Sequence, residues 1–198
     1  MHNIKYINVF VISCLILISC TSKKTDKDSA SDYSENIENN TLTASEDSRG
    51  YIVNVGDIAP DFEMAMPNGE KVILSSLRGK IVMLQFTASW CGVCRKEMPH
   101  IEKDIWLKHQ SNPNFALYGI DREEPIEKVE DLIKKTGVTY PIGLDLDAGI
   151  FTLYAKKEAG ITRNVIIDKE GRIVMLTRLF DEDEFKEMVE LIDELLNA

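Results

Sequence analysis

The chain has 198 residues, a formal net charge of −10, four cysteines and three histidines. That length suits one domain of ordinary size, large enough to bury a core without disulfide staples. No basic run stands out, which argues against nucleic-acid recognition, and the acidity reads as a solubility feature. A zinc ribbon needs a second Cys-x-x-Cys and a zinc finger needs paired histidines. Neither His2, His100 nor His109 completes such a set, so no metal site is predicted.

The N-terminus comes first. Lys5 gives a weakly basic start, and residues 7–18 are mostly apolar. The run matches a signal-peptide core in length and falls short of a membrane span. It ends in Leu17-Ile18-Ser19-Cys20, which resembles a bacterial lipoprotein box. That resemblance implies a leader over 1–19, removed on maturation, and a lipid on Cys20. An ordinary signal with an incidental cysteine, or an uncleaved anchor, is the alternative. Val11-Ile12-Ser13-Cys14 has a similar pattern behind too short a core. Residues 20–50 then turn to Ser, Thr, Asn, Asp and Glu without apolar periodicity, the composition of a flexible tether.

A domain is expected over 51–198. Phe62, Met64 and Met66 alternate with Glu63 and Ala65, as in a half-buried strand. Pro67-Asn68-Gly69-Glu70 supplies turn chemistry, and Val72 and Leu74 suit a returning strand. A helical turn is predicted at 75–79. Residues 81–86 are nearly all apolar, as in a central strand covered on both faces. Pro99 is expected to kink the helix that follows. A strand is predicted over 115–121. Next comes a helix opened by Pro125, with Ile126, Val129, Leu132 and Ile133 on its apolar face and Gly137 as its stop.

A short strand is predicted near 140–144. Asp145-Leu146-Asp147-Ala148-Gly149 lacks the later glutamate of a calcium loop and reads as a helix-capping turn. A short helix over 150–154 follows. Strands over 164–168 and 172–176 join through the turn Lys169-Glu170-Gly171. Asp181 with Glu184 makes a capping-box pattern for a last helix, whose apolar residues run from Phe185 to Leu196. This order predicts an α/β sandwich around a mixed sheet.

The chemistry concentrates at Trp90-Cys91-Gly92-Val93-Cys94. Two cysteines three apart, behind an apolar strand and opening a helix, suit a redox dithiol. Unsatisfied N–H groups at a helix start stabilise a thiolate, and a lowered thiol pKa makes the first cysteine nucleophilic near neutral pH. Residues i and i+3 are neighbours on a helix, so the second sulfur can reach the first.

The stretch from Phe86 to Pro99 resembles the thioredoxin-superfamily active site. The hairpin near 56–77 and the insertion over 121–154 are similar to those of its TlpA/ResA-like branch. The resemblance covers 51–198. It implies a thioredoxin-like fold: a mixed central sheet flanked by helices, with an N-terminal β-hairpin and a central insertion. It also implies an extracytoplasmic, lipid-anchored thiol–disulfide oxidoreductase of the cell envelope, on the periplasmic face if the source is Gram-negative. By matching position Cys91 attacks the substrate, forming a mixed disulfide, and Cys94 resolves it. No cofactor is implied beyond the Cys91–Cys94 disulfide itself. The implied partners are protein disulfides, an upstream thiol reductant at the membrane, and the bilayer through Cys20. Trp90, Gly92, Val93, Ile161 and Thr162 are the implied substrate-contacting residues.

Glu123 matches the insertion glutamate near the dithiol, where it can move protons or raise a thiol pKa. Gln85 stands where cytoplasmic thioredoxins carry a buried aspartate. Two departures stand out. Thr162 occupies the usual cis-proline position, and a cis bond before a non-proline costs several kcal/mol, so a trans peptide is expected. Gly92-Val93 replaces the common Gly-Pro. A peroxiredoxin-like thiol peroxidase with an arginine near Arg163 is one competing function, although the Pro-x-x-x-Thr-x-x-Cys pattern is missing. A metal or haem-maturation binding module using Cys91 and Cys94 is another.

Overall fold

The computed structural model describes residues 49–198. The expected leader over 1–19, Cys20 and all but the last two residues of the 20–50 tether lie outside the described residues. No helix among the described residues is long and apolar enough to cross a membrane.

Seven strands form one mixed sheet in the order β2-β1-β5-β4-β3-β6-β7. The hairpin β1 (Glu63–Ala65) and β2 (Lys71–Ile73) forms one edge, and a 3₁₀ turn over Leu74–Leu77 follows it. The centre is β3 (Ile81–Thr87), buried at every residue, with β4 (Phe115–Arg122) parallel on one side and β6 (Arg163–Ile167) antiparallel on the other. The strand β5 (Ile142–Asp145) lies parallel to β4, and β7 (Ile173–Arg178) closes the far edge against β6. The expected turn at 169–171 joins these last two strands, with Gly171 at φ 87° and its N–H donating to Asp168 O at 3.0 Å.

The alternation within β3 divides the core. Val82, Leu84 and Phe86 pack with Met64, Phe151 and Tyr154 on one face. Ile81 and Met83 pack with Met98, Ile101, Met188 and Ile192 on the other. A strand buried on both faces needs this near-continuous apolar run, because side chains alternate at period two. Gln85, the polar residue inside this run, is also fully buried, and its partners belong to the site.

Helix α1 (Gly92–Ile101) contains Pro99 and continues past it. A π turn over Glu102–Trp106 follows, before the short α2 (Leu107–His109). Proline removes one N–H and crowds the preceding turn, and a widened π turn is one way a helix absorbs such a defect. Helix α3 (Ile126–Thr136) stops at Gly137, which adopts φ 72°. Asp145 caps α4 (Phe151–Tyr154), as the sequence predicts: its carboxylate accepts from Ile150 N at 3.0 Å and Phe151 N at 2.8 Å. Helix α5 (Glu182–Asn197) starts at Asp181, whose side chain accepts from Asp183 N and Glu184 N. The reciprocal half of the capping box is not made, since Glu184 turns instead to Arg178 N and Arg49.

Arg49 and Gly50 also pack on the domain. Arg49 donates to Leu176 O at 2.8 Å, and Gly50 O accepts from Lys156 N at 3.0 Å. The buried Arg163 guanidinium donates to Arg49 O and stacks 4.4 Å over the Tyr51 ring.

Candidate active site

The strand β3 ends at Thr87, and a tight turn carries the chain to Cys91, whose N–H donates to Ala88 O at 3.0 Å. Cys91 is the N-cap of α1, at φ −80° and ψ 104°, and its Sγ accepts from Cys94 N at 3.1 Å. The Cys94 N–H of the first helical turn points at this sulfur, and a helix start favours a thiolate. Cys91 and Cys94 are joined as a disulfide across a Cα–Cα distance of 5.3 Å. Their surroundings differ: Cys91 keeps 7 % of its surface exposed and Cys94 none. A partner approaching from solvent therefore meets Cys91.

The expected neighbours fall into place around that pair. Trp90 is 63 % exposed, an aromatic ring offered to solvent beside the reactive sulfur. Gly92 is exposed and Val93 half-buried at the start of α1. Ile161 and Thr162 are buried against the pair, and Thr162 Oγ1 lies 3.2 Å from Cys91 Sγ and 3.3 Å from Cys94 Sγ. No cis peptide occurs among the described residues, so the bond before Thr162 is trans as expected. Thr162 O accepts from Leu179 N at 3.2 Å and Arg178 Nη1 at 3.4 Å, which fixes this segment. Leu179 adopts φ 69° to make that contact.

Glu123 is not among the residues gathered at the sulfurs. It sits at φ 59°, 47 % exposed, with its carboxylate 2.9 Å from Arg122 Nε. Its side chain is half-exposed, whereas its neighbour is buried. Glu124 is buried, accepts from the Ser89 backbone N–H, and also receives the Ser89 hydroxyl at 2.6 Å. Ser89 O in turn accepts from Arg95 Nη1 at 2.6 Å. Glu124 and Arg95 thereby hold both sides of the turn that leads into Cys91.

Behind Glu124 lies Asp121, paired with Thr87 in the β3–β4 register and fully buried. Neither of its carboxyl oxygens has a hydrogen-bond partner among the described residues. Burial, followed by the nearby Glu124 charge, pushes Asp121 up to about 8. Burial favours the neutral acid, and a like charge adds to the effect.

A second acid lies beneath the dithiol on α1. Glu97 is three residues beyond Cys94, on the same buried helix face. Asn164 Nδ2 donates to it at 2.6 Å and Gln85 Nε2 at 3.4 Å. Gln85 Oε1 accepts from Tyr140 OH at 2.6 Å, and Asn164 Nδ2 also donates to Thr177 Oγ1 at 2.9 Å. Burial raises Glu97 to about 7 against the pull of its two amide donors. Where Gln85 removes an acid from the strand, Glu97 supplies one from the helix.

Sequence reasoning did not single out Asp121, Glu124 or Glu97. Glu97 had a signal, since it shares a helical face with Cys94, Met98 and Ile101. Asp121 had another: it ends an apolar strand parallel to the one that delivers the dithiol.

The chain matches the Redoxin family model over residues 54–192. Among curated proteins it is similar to the thiol-disulfide oxidoreductase ResA of Bacillus subtilis, 29 % identical over 71 % of this chain and 76 % of that protein. The ResA of Geobacillus kaustophilus is 31 % identical over 61 % of this chain and 67 % of its own length. Among solved structures, a Bacteroides thetaiotaomicron protein provisionally described as a protein disulfide isomerase is 65 % identical. It matches at a TM-score of 0.73, with 75 % of this chain and 94 % of that chain covered. A Chlorobium tepidum protein provisionally described as the thiol:disulfide interchange protein DsbE shares the fold at a TM-score of 0.64 and 23 % identity, over 73 % of this chain and 99 % of that one. The chain belongs to the Redoxin family and is a TlpA/ResA-like thiol–disulfide oxidoreductase of the thioredoxin superfamily.

Proposed function

We propose that this protein reduces or exchanges disulfides in other proteins outside the cytoplasm, held at the membrane by a lipid on Cys20 and recharged there by a thiol reductant. The observation that carries the redox part is the asymmetry of the pair: Cys91, whose Sγ accepts from the first helical turn, keeps a little exposed surface and Cys94 keeps none. In the reduced protein the Cys91 thiolate attacks a substrate disulfide. A Cys91–substrate S–S bond forms, and the other substrate sulfur leaves as a thiolate. Cys94 then attacks Cys91 Sγ, the second substrate sulfur leaves, and the Cys91–Cys94 disulfide remains. Two electrons have passed to the substrate, and the membrane reductant restores the dithiol.

Trp90, Gly92, Val93, Ile161 and Thr162 form the contact surface for the substrate chain. In this reading Glu124, backed by Asp121, takes the part expected of Glu123. It holds the Ser89 turn that leads to the dithiol. The lipid anchor rests on the Leu17-Ile18-Ser19-Cys20 motif.

The test is turnover of a protein disulfide such as insulin, compared with peroxide consumption. Wild type is expected to reduce insulin and consume peroxide slowly, and Cys91→Ala to be inert in both. Glu124→Ala is expected to slow reduction at least tenfold, while Glu123→Ala changes it less than twofold. Rapid peroxide turnover by an enzyme inert on insulin rules the exchange reading out. Metabolic acyl labelling that survives Cys20→Ala removes the anchor.

A further inference from the structure

The sulfur of Cys94 presents a proton problem. Its residue has no exposed surface, so bulk water does not take up the proton that a resolving thiol must lose. Glu97, one helical turn away, has its oxygens engaged by Asn164 and Gln85. The side-chain oxygen within hydrogen-bond distance of Cys94 Sγ among the described residues is Thr162 Oγ1, at 3.3 Å. The same oxygen is 3.2 Å from Cys91 Sγ. A hydroxyl carries one proton to donate and two lone pairs to accept with. It can therefore accept from one sulfur while donating to the other. A proline ring at this position has no such group.

We propose that Thr162 is a catalytic residue, its hydroxyl relaying a proton from Cys94 to the leaving substrate sulfur during resolution of the mixed disulfide. The proposal rests on the reading above in which Cys91 carries the substrate and Cys94 resolves. As Cys94 Sγ bonds to Cys91 Sγ, the bond from Cys91 Sγ to the substrate sulfur breaks, and its electron pair leaves on that sulfur. The Cys94 proton passes to Thr162 Oγ1, and the proton already on Oγ1 passes to the departing sulfur. The hydroxyl is regenerated, one disulfide and one substrate thiol are formed, and no other reactant is needed. An alcohol holds neither charge near neutral pH, so the two transfers are coupled. In the reduced enzyme the same geometry lets Thr162 accept from the Cys94 thiol and donate to the Cys91 thiolate. Its backbone is held in place by Leu179 N and Arg178 Nη1 on Thr162 O.

The test is single-turnover rapid mixing of the reduced 198-residue chain with a peptide disulfide bearing a fluorophore and quencher on its two halves. Mixed-disulfide formation and resolution are followed by acid-quench mass analysis. Thr162→Val is expected to slow resolution by about a hundredfold, the lower end of what positioned proton transfer contributes. Its resolution rate should climb between about pH 7 and 9, where the wild-type rate is level, because direct loss of the thiol proton then limits the step. Thr162→Ser keeps the hydroxyl and should restore both rate and profile. If Thr162→Val does not fold, Thr162→Ala against Thr162→Ser reads the same contrast. A hydroxyl-free variant that resolves at the wild-type rate with the wild-type profile overturns the relay, as does a serine variant as slow as valine. The underlying exchange reading is checked separately, with Cys94→Ala. Failure of that variant to accumulate a mixed disulfide on Cys91 overturns the reading itself, whatever the position-162 series gives.

Discussion

Glu97 is fully buried under the dithiol with only neutral partners, Asn164 and Gln85, so its ionisation acts on stability. Its carboxyl is raised from 4.5 to about 7. Between those values the folded chain holds a proton that the unfolded chain releases. Stability therefore falls as pH rises through this window, by a total on the order of 3 kcal/mol, and is level above it. Glu97→Gln is expected to flatten this decline when denaturation midpoints are compared at about pH 4.5 and pH 7.5. An unchanged slope would place the pH dependence elsewhere, with Asp121 the next group to substitute. At this scale the sequence was readable where chemistry and local geometry coincide. Cys91, Cys94, Trp90 and Thr162 were placed by the spacing of a known motif. Of the two adjacent insertion glutamates, Glu123 is half-exposed at a left-handed backbone position and Glu124 is buried. No pattern of side-chain types encodes that difference.

Among the elements, those with strong periodicity or a capping signal were legible. The all-apolar β3, the Gly137 stop and the Asp181 cap each follow from local chemistry. The start of α5 makes this quantitative. Asp181 satisfies two orphan N–H groups, at Asp183 and Glu184. Asp181→Ala should cost about 1 kcal/mol, the usual worth of a helix N-cap. For a domain of this size that corresponds to a fall of about 3 °C in Tm, to be read by calorimetry. No fall at all would mean that tertiary packing of Phe185, Met188 and Ile192 alone holds the helix start. The π turn after Pro99 was not legible, because it depends on how the helix recovers its hydrogen bonds over the next turn. One contribution comes from outside the helix: buried Glu102 receives Thr139 N at 2.8 Å and the Thr139 hydroxyl at 2.6 Å.

Across the whole domain, the order of elements predicts a mixed sheet between helices, and the sheet is built that way. The order of strands within the sheet is set by long-range pairing, which no local pattern in the sequence encodes. The parallel β3–β4–β5 set brings Thr87 and Asp121 side by side at one end. The antiparallel β6 brings Thr162 to the same end, just before Arg163 pairs with Phe86. Segments distant in the chain thus converge around the dithiol: Thr162 before β6 reaches both sulfurs, Glu124 after β4 holds the turn before Cys91, and Arg178 and Leu179 after β7 hold Thr162. The polar layer of Gln85, Glu97, Tyr140 and Asn164 depends on the same convergence, which explains why it was invisible one residue at a time.

The central claim is that Cys91 is the sulfur that carries the substrate. Its most direct measurement is the composition of the trapped intermediate, read by peptide mass spectrometry. The reduced Cys94→Ala variant would be mixed with a model peptide disulfide and quenched with acid. A stoichiometric mixed disulfide between the peptide and Cys91 is expected, with no such adduct in Cys91→Ala under the same conditions. A peptide adduct on Cys94 in Cys91→Ala, formed as fast as the one on Cys91, would contradict it.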